Sequence, residues 1–217
     1  MSEDNARDRL KRVGAALIVF GTLDIGYMIY CIMHRVSYSS SFNIFAVISG
    51  IYVWRRHPWY LKWVPRGVAF FAAASGAALL VFPTLIPLDF QLTVIRGNAA
   101  TVLIWLFVVL AVIAFFLWLY KQFRAPLVLR YYDQNGLSTK APKYAFLCGA
   151  ILVVLMGALL YSMTHGSDAH RAIALARAKS GADYRYWVSG INYTGSHGSA
   201  RVYAYNRTEL KEVGVEW

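Results

Sequence analysis

The chain has 217 residues, of which 58 % are hydrophobic and 15 % charged, and its formal net charge at pH 7 is +11. This composition argues against a soluble globular domain and indicates a membrane protein. The positive charge requires no nucleic-acid partner, because it follows from where Lys and Arg lie relative to the apolar segments.

Five apolar segments are predicted to be transmembrane helices, since most are close to the roughly 20 residues that cross a bilayer. In chain order they are Val13–Met33, Phe42–Trp54, Val68–Leu88, Ala100–Tyr120 and Tyr144–Met163. The second has a short uninterrupted apolar part and begins with polar residues from Tyr38 to Ser41. It would therefore tilt little, thin the bilayer, or bury its polar end against neighbouring helices.

Basic residues sort onto one side of these segments, which predicts an orientation because Lys and Arg resist translocation. With the N-terminus inside, the cytoplasmic side receives Arg7, Arg9, Lys11, Arg12, Arg55, Arg56, Lys62, Arg66, Lys121, Arg124, Arg130, Lys140 and Lys143. The two short outer loops hold only Arg35 and Arg96. Residues 1–12 are thus expected to be a cytoplasmic N-terminus, residues 13–164 a five-helix transmembrane bundle, and residues 165–217 an extracytoplasmic domain. The compact topology suggests a bacterial inner membrane.

Asp24 is the acidic residue inside the predicted spans and lies near the middle of the first. An ionised carboxylate at that depth costs at least about 2.5 kcal/mol on insertion scales, so it should face the bundle interior, pair, or keep its proton. Asp24, Asn43 and Ser75 are therefore the candidate intramembrane polar site. Three roles stay open for Asp24: structural contacts with such polar groups, contact with a partner subunit, and handling of a proton or substrate.

The C-terminal domain is predicted to be α+β, with one helix on a three-stranded antiparallel sheet. Ser167 or Asp168 can cap a helix that runs through Ala169, Ile173, Leu175 and Ala178, and Gly181 is suited to end it. The strand-like runs are Tyr184–Tyr193, Ser199–Asn206 and Leu210–Trp217. Residues Gly195–Gly198 join the first two as a hairpin. Because this unit is small and its sheet has edges, it should lean on the bundle, a second copy or a partner.

Aromatic side chains of this sheet are the candidate partner-binding residues. They are Tyr184, Tyr186, Tyr203, Tyr205 and Trp217. Catalytic and metal-binding residues are not expected, because His165 and His170 do not have the spacing of a metal-binding pair and no phosphate loop or nucleophile elbow occurs. No cofactor is predicted, although a lipid or quinone between helices leaves no fixed signature and stays open.

Two classes of function stay open. The favoured one is a non-catalytic accessory or interaction protein that docks on a membrane complex and binds a partner through the extracytoplasmic domain. The alternative is a small transporter of a proton, an ion or a lipid-like molecule that uses Asp24. The expected partners are the lipid bilayer and either another membrane protein or a second copy of the chain. A nucleic-acid partner is not expected. An enzyme is not expected, since no reacting constellation of side chains can be assembled.

Overall fold

The computed structural model describes residues 2–35, 43–194, 197–206 and 209–217. Its helices are α1 (Ser2–Met33), α2 (Asn43–Trp54), α3 (Pro58–Leu85), α4 (Leu88–Phe123), α5 (Pro126–Gln134), α6 (Lys143–His165) and α7 (Ser167–Ser180). Its strands are β1 (Arg185–Thr194), β2 (His197–Tyr205) and β3 (Leu210–Glu216). The polar run before α2 and the hairpin residues Gly195 and Ser196 lie outside the described residues.

Within these ranges, four helices are long and apolar enough to cross a membrane. They are Asp4–Met33, Pro58–Leu85, Leu88–Phe123 and Lys143–His165. The second predicted span corresponds to α2, which has 12 residues. At 1.5 Å of rise per residue this helix covers about 18 Å, less than the roughly 30 Å of a hydrocarbon core. The expectation of five spans is therefore met only in part, with four candidate spans and one shorter apolar helix.

The chain divides into two compact units. One contains residues 1–73 and 113–149, and the other contains residues 74–112 and 150–217. Each unit thus combines parts of long helices with shorter elements: α2 and α5 belong to the first, and α7 with the sheet belongs to the second.

In the first unit, α1 and α2 form an antiparallel pair whose backbones touch at two glycines. A Cβ atom added to Gly14 would lie 2.7 Å from the carbonyl oxygen of Gly50 and 2.8 Å from the backbone nitrogen of Trp54. A Cβ atom added to Gly50 would lie 2.7 Å from the carbonyl oxygen of Gly14. Small residues permit such close approach where no hydrophobic effect drives helices together. The short helix α2 thus packs directly against the backbone of α1.

The N-terminal turns of α1 also carry a buried stripe. Ala6, Leu10, Val13 and Leu17 are all buried, at the spacing of one helix face. Helix α1 packs against α5, which buries Val128 and Tyr132. Residues 2–12 are therefore a continuation of the first long helix.

Helix α4 consists of two helical pieces that meet at Asn98. This residue has φ −153° and ψ 55°, which is not a helical conformation. The hydroxyl of Thr101 donates a hydrogen bond to Asn98 Oδ1 at 2.8 Å, so the Asn98 side chain binds within the first turn of the second piece. The first piece covers residues 88–97 and is called here the 88–97 helix. It replaces the outer loop that was predicted between the third and fourth spans.

The C-terminal elements form one helix on a three-stranded antiparallel sheet of order β1-β2-β3, as predicted. Small side chains of α7 let the helix lie close to the sheet, and its core contains Ala169, Ala172, Ala176, Val188, Ile191, Ala200, Val202 and Val215. Gly181 ends α7 with φ 92°, as expected. The predicted N-cap is wrong: Gly166 occupies that position, and Asp168 instead accepts a hydrogen bond from the Tyr193 hydroxyl.

Candidate functional site

The face of the sheet opposite α7 carries an aromatic cluster. Trp187 and Tyr203 are cross-strand partners, and Arg185 is the partner of Tyr205. Phe90 of the 88–97 helix is only 8 % exposed and lies against this face. Its ring centroid is 4.8 Å from that of Trp187, 5.4 Å from that of Tyr203 and 5.2 Å from that of Tyr205. The 88–97 helix is thereby fixed to the sheet.

A cleft of about 570 Å³ opens beside the aromatic cluster. This polar cleft is lined by Asp89, Leu92, Thr93, Arg96, Asp183, Arg185, Tyr205 and Asn206. An ion pair between Arg185 and Asp89 joins its two sides. The hydroxyl of Thr93 also donates a hydrogen bond to the backbone oxygen of Asn206, at 3.1 Å. Because these contacts link the 88–97 helix to β1 and to the residue that follows β2, the walls of the cleft hold each other in place.

Besides the ion-paired Asp89 and Arg185, the polar cleft presents one positive and one negative side chain. Arg96 and Asp183 are exposed, and neither has an ion-pair partner within the described part of the chain. A guanidinium group binds carboxylates and phosphates through two parallel hydrogen bonds. The cleft can therefore bind a ligand or a peptide segment that carries charges of both signs.

The structure distributes the five candidate partner-binding aromatics over three places. Tyr186 and Trp217 pack against the core between α7 and the sheet. Tyr203 and Tyr205 belong to the aromatic cluster, where burial raises the pKa of Tyr205 and the charge of Arg185 opposes that rise. Tyr184 lies elsewhere, beside Glu209 and Lys211. Of the five, only Tyr205 lines the polar cleft, and their role in partner binding stays a prediction.

Tyr184, Glu209 and Lys211 form a triad of hydrogen bonds. The Tyr184 hydroxyl donates to Glu209 Oε2 at 2.7 Å, and Lys211 Nζ donates to the Tyr184 oxygen at 2.9 Å. Lys211 Nζ is also 2.8 Å from Glu209 Oε2. Hydrogen bonds from Lys211 and then from Tyr184 hold the pKa of Glu209 below its usual value, and the bond to Glu209 raises the pKa of Lys211.

The triad predicts that the stability of the fold depends weakly on pH in the acidic range. Because the pKa of Glu209 is lowered in the fold, its contribution to stability is present above about pH 4.5 and is lost as the pH falls through the lower folded pKa. We expect an NMR titration of the Glu209 carboxyl carbon to give a midpoint below 4.5. Lys211→Met should raise that midpoint, whereas Lys179→Met should not. If Lys211→Met leaves the midpoint unchanged, Lys211 is not the cause of the lowered pKa of Glu209.

The candidate intramembrane polar site is not assembled within either unit. Asp24 is half-buried on α1 in the first unit, and Ser75 belongs to the second. The side chain of Asn43 lies outside the described residues. Ser75 lines an apolar groove of about 500 Å³ together with Phe82, Val109 and other residues of α3 and α4. A lipid or quinone in such a groove stays a prediction, as does the role of Asp24.

Sequence reasoning missed the residues that form the polar cleft, above all Asp89, Phe90 and Arg96. The signal that could have found them is a helix start at Pro87 followed by Asp89, with a stop at Gly97. Pro fits the beginning of a helix, and an acidic residue in the first turn is favoured by the helix dipole. These signals were masked by the expectation that a short segment between two spans is a loop.

No protein-family model, no curated protein and no solved structure matches the chain.

Proposed function

We propose that the chain is a non-catalytic membrane protein that docks on a membrane complex and binds a partner through its C-terminal α+β domain. The observation that supports this most directly is the open polar cleft next to a sheet that Phe90 holds against the 88–97 helix. A binding surface held in one geometry loses less entropy when a partner binds. Arg96 and Asp183, which have no ion-pair partner among the described residues, would select a partner segment of complementary charge.

The pairing of α1 with α2 supports the proposed orientation. Gly14 lies against Trp54, so the C-terminal end of α2 and the N-terminal turns of α1 are at the same end of the pair. The basic residues Arg55 and Arg56 follow Trp54, and Arg12 precedes Gly14 closely. This arrangement agrees with α2 as a short returning span and with a cytoplasmic N-terminus, because Lys and Arg concentrate on the cytoplasmic side. With five spans, the C-terminal domain is then extracytoplasmic. The membrane in this proposal is a bacterial inner membrane.

The test is the amount of partner that the full chain retains after gentle detergent extraction from its native membrane. We expect Asp183→Lys to reduce the recovered partner about tenfold, which corresponds to about 1.4 kcal/mol, because it reverses an exposed charge in the polar cleft. The measurement is mass spectrometry of the intact complexes. Glu216→Lys is the matched control, since Glu216 is an exposed acid of the same domain that does not line the cleft.

Two results would overturn this proposal. One is equal recovery of the partner with Asp183→Lys and with Glu216→Lys. The other is a chain that is extracted without a protein partner but retains a specific small molecule. That result would favour the transport alternative, and Asp24→Asn, which keeps the shape of the side chain but removes its ionisation, should then abolish transport.

A further inference from the structure

A second cleft, in the first unit, has a different chemistry. This basic cleft has a volume of about 40 Å³, enough for a small tetrahedral group, since a single water needs about 10–15 Å³ on this measure. Several chain segments meet there: the first turns of α3, the residue after α4, helix α5 and the loop before α6. The polar side chains that line it are Lys62, Arg66, Arg124, Tyr132, Ser138 and Lys140.

Every charged side chain among the described residues that line the basic cleft is positive. Lys62, Arg66, Arg124 and Lys140 line it, and no acidic side chain is among the described residues that do. Lys62 and Arg66 both contact the Trp63 ring, with their charged groups 5.8 Å and 4.8 Å from the ring centroid. Arg124 Nη1 donates a hydrogen bond to the backbone oxygen of Thr139 at 2.6 Å, which ties the loop before α6 to the end of α4. The cations are therefore held close together by the fold, without a counter-ion from the described chain.

Tyr132 supplies an independent observation. It lines the same cleft and is only 4 % exposed. Its hydroxyl is buried and has no hydrogen-bond partner in the described part of the chain. Burial and the neighbouring Tyr131 raise its pKa, so the hydroxyl keeps its proton at neutral pH and is available as a donor. Buried polar atoms in proteins nearly always have a hydrogen-bond partner, and a buried hydroxyl without one in the protein points to a bound ion, water or ligand.

We infer that the basic cleft is a binding site for a phosphate group, with Arg124, Arg66, Lys62 and Lys140 as the cationic ligands and the Tyr132 hydroxyl as a buried hydrogen-bond donor. A phosphate offers several acceptor oxygens, which suits two guanidinium groups, two ammonium groups and a neutral donor around one small volume. A carboxylate would leave more of these donors unused.

The position of the basic cleft allows two sources for that phosphate. Its residues lie at the start of α3, at the end of α4 and just before α6, which are ends of candidate membrane spans. Phospholipid headgroups are at this level, and basic pockets near the ends of membrane helices bind them. A soluble phosphate compound could reach the same cleft from the aqueous side. This inference does not depend on the proposed partner of the C-terminal domain.

The test compares binding of two probes to the full chain in mild detergent. Native mass spectrometry measures retention of phosphatidylglycerol, and isothermal titration calorimetry measures binding of inorganic phosphate. We expect Tyr132→Phe to weaken binding several-fold and Arg124→Gln at least tenfold. Arg130→Gln, which removes an exposed arginine of α5 outside the cleft, should leave binding unchanged.

Tyr132→Phe keeps the test decisive if Arg124→Gln fails to fold. It removes only an oxygen that has no hydrogen-bond partner among the described residues, so it should not lower the melting temperature. Phosphatidylglycerol binding that is sensitive to Tyr132→Phe would assign the site to a lipid headgroup. Sensitive binding of inorganic phosphate alone would assign it to a soluble phosphate compound. Binding of neither probe, or equal binding by Tyr132→Phe, Arg130→Gln and the unmodified chain, would overturn the inference.

Discussion

Replacing Gly14 with alanine is expected to separate α1 from α2 and to destabilise the first unit by about 1–3 kcal/mol, the usual cost of overpacking a tight interior. The added methyl group would lie 2.7 Å from a carbonyl oxygen and 2.8 Å from a backbone nitrogen of α2. These are backbone atoms, so no side-chain rotation can relieve the overlap and the helices must move apart. The thermal unfolding midpoint of the full chain in detergent measures the effect.

Gly26→Ala is the matched control for this substitution. Gly26 lies on the same helix, and nothing is within 4 Å of the position that its Cβ would occupy. Alanine has the higher helix propensity, by about 1 kcal/mol, so this variant should unfold at the same temperature or slightly above. Equal midpoints for Gly14→Ala and Gly26→Ala would show that the glycine contact of α1 and α2 carries no stability. Gly50→Ala should reproduce the loss, because its Cβ meets the backbone of α1 at the same crossing.

Hydrophobicity predicted most of the helical elements because it is a local property. The apolar segments beginning near Val13 and Tyr144 coincide with α1 and α6 to within a turn at their C-terminal ends. A local hydrophobic pattern also predicted β3 of the C-terminal sheet, where Val213 and Val215 alternate with polar residues and face the core. Length was harder to predict: α1 starts at Ser2, because its polar N-terminal turns bury Ala6 and Leu10. Such burial depends on α5, which is distant in sequence.

The candidate site was not predictable in the same way, because it depends on the register of the sheet. Tyr186 and Trp187 are adjacent but point to opposite faces, and the pairing of Tyr186 with Ala204 puts it on the α7 side. A shift of one residue would exchange the two faces. The register of β1 with β2 also changes between Val188 and Gly190. No local pattern fixes that irregularity, so the aromatic residues could be proposed as a group but not assigned to a surface.

The cleft itself required a contact between distant segments. Asp89 and Arg185 carry no mutual signal in the sequence, since spacing along a chain says nothing about pairing across a fold. The N-cap of α7 was not predictable from local sequence for the same reason. Asp168 has the right chemistry for an N-cap, yet its carboxylate accepts a hydrogen bond from the Tyr193 hydroxyl. Tertiary hydrogen bonds compete with local ones for the same side chain.

Phe90→Ala is expected to detach the sheet from the 88–97 helix. The substitution removes a ring that is 8 % exposed and contacts three aromatic side chains of the sheet. Truncation of a buried Phe costs about 3–5 kcal/mol. Two further ties in the described part of the chain, the ion pair of Asp89 with Arg185 and the hydrogen bond from Thr93, are each worth only about 1 kcal/mol and cannot replace it. Hydrogen exchange of the backbone amides, followed by mass spectrometry, measures the change.

The expected pattern of exchange separates detachment from unfolding. Amides of the 88–97 helix should exchange faster in Phe90→Ala, whereas those of β2 should keep their protection, because the core around Val188, Val202 and Val215 does not include Phe90. Leu88→Ala is the matched control, since Leu88 is on the same helix and 76 % exposed. The backbone amides of the Leu88→Ala variant should exchange at the same rates as those of the unmodified chain. Loss of protection throughout the sheet would mean that Phe90 belongs to the folding core of the domain, and unchanged exchange would mean that the aromatic cluster does not hold the helix. If Phe90 acts as argued, Phe90→Ala should also weaken partner retention as Asp183→Lys does, because the polar cleft loses one of its walls.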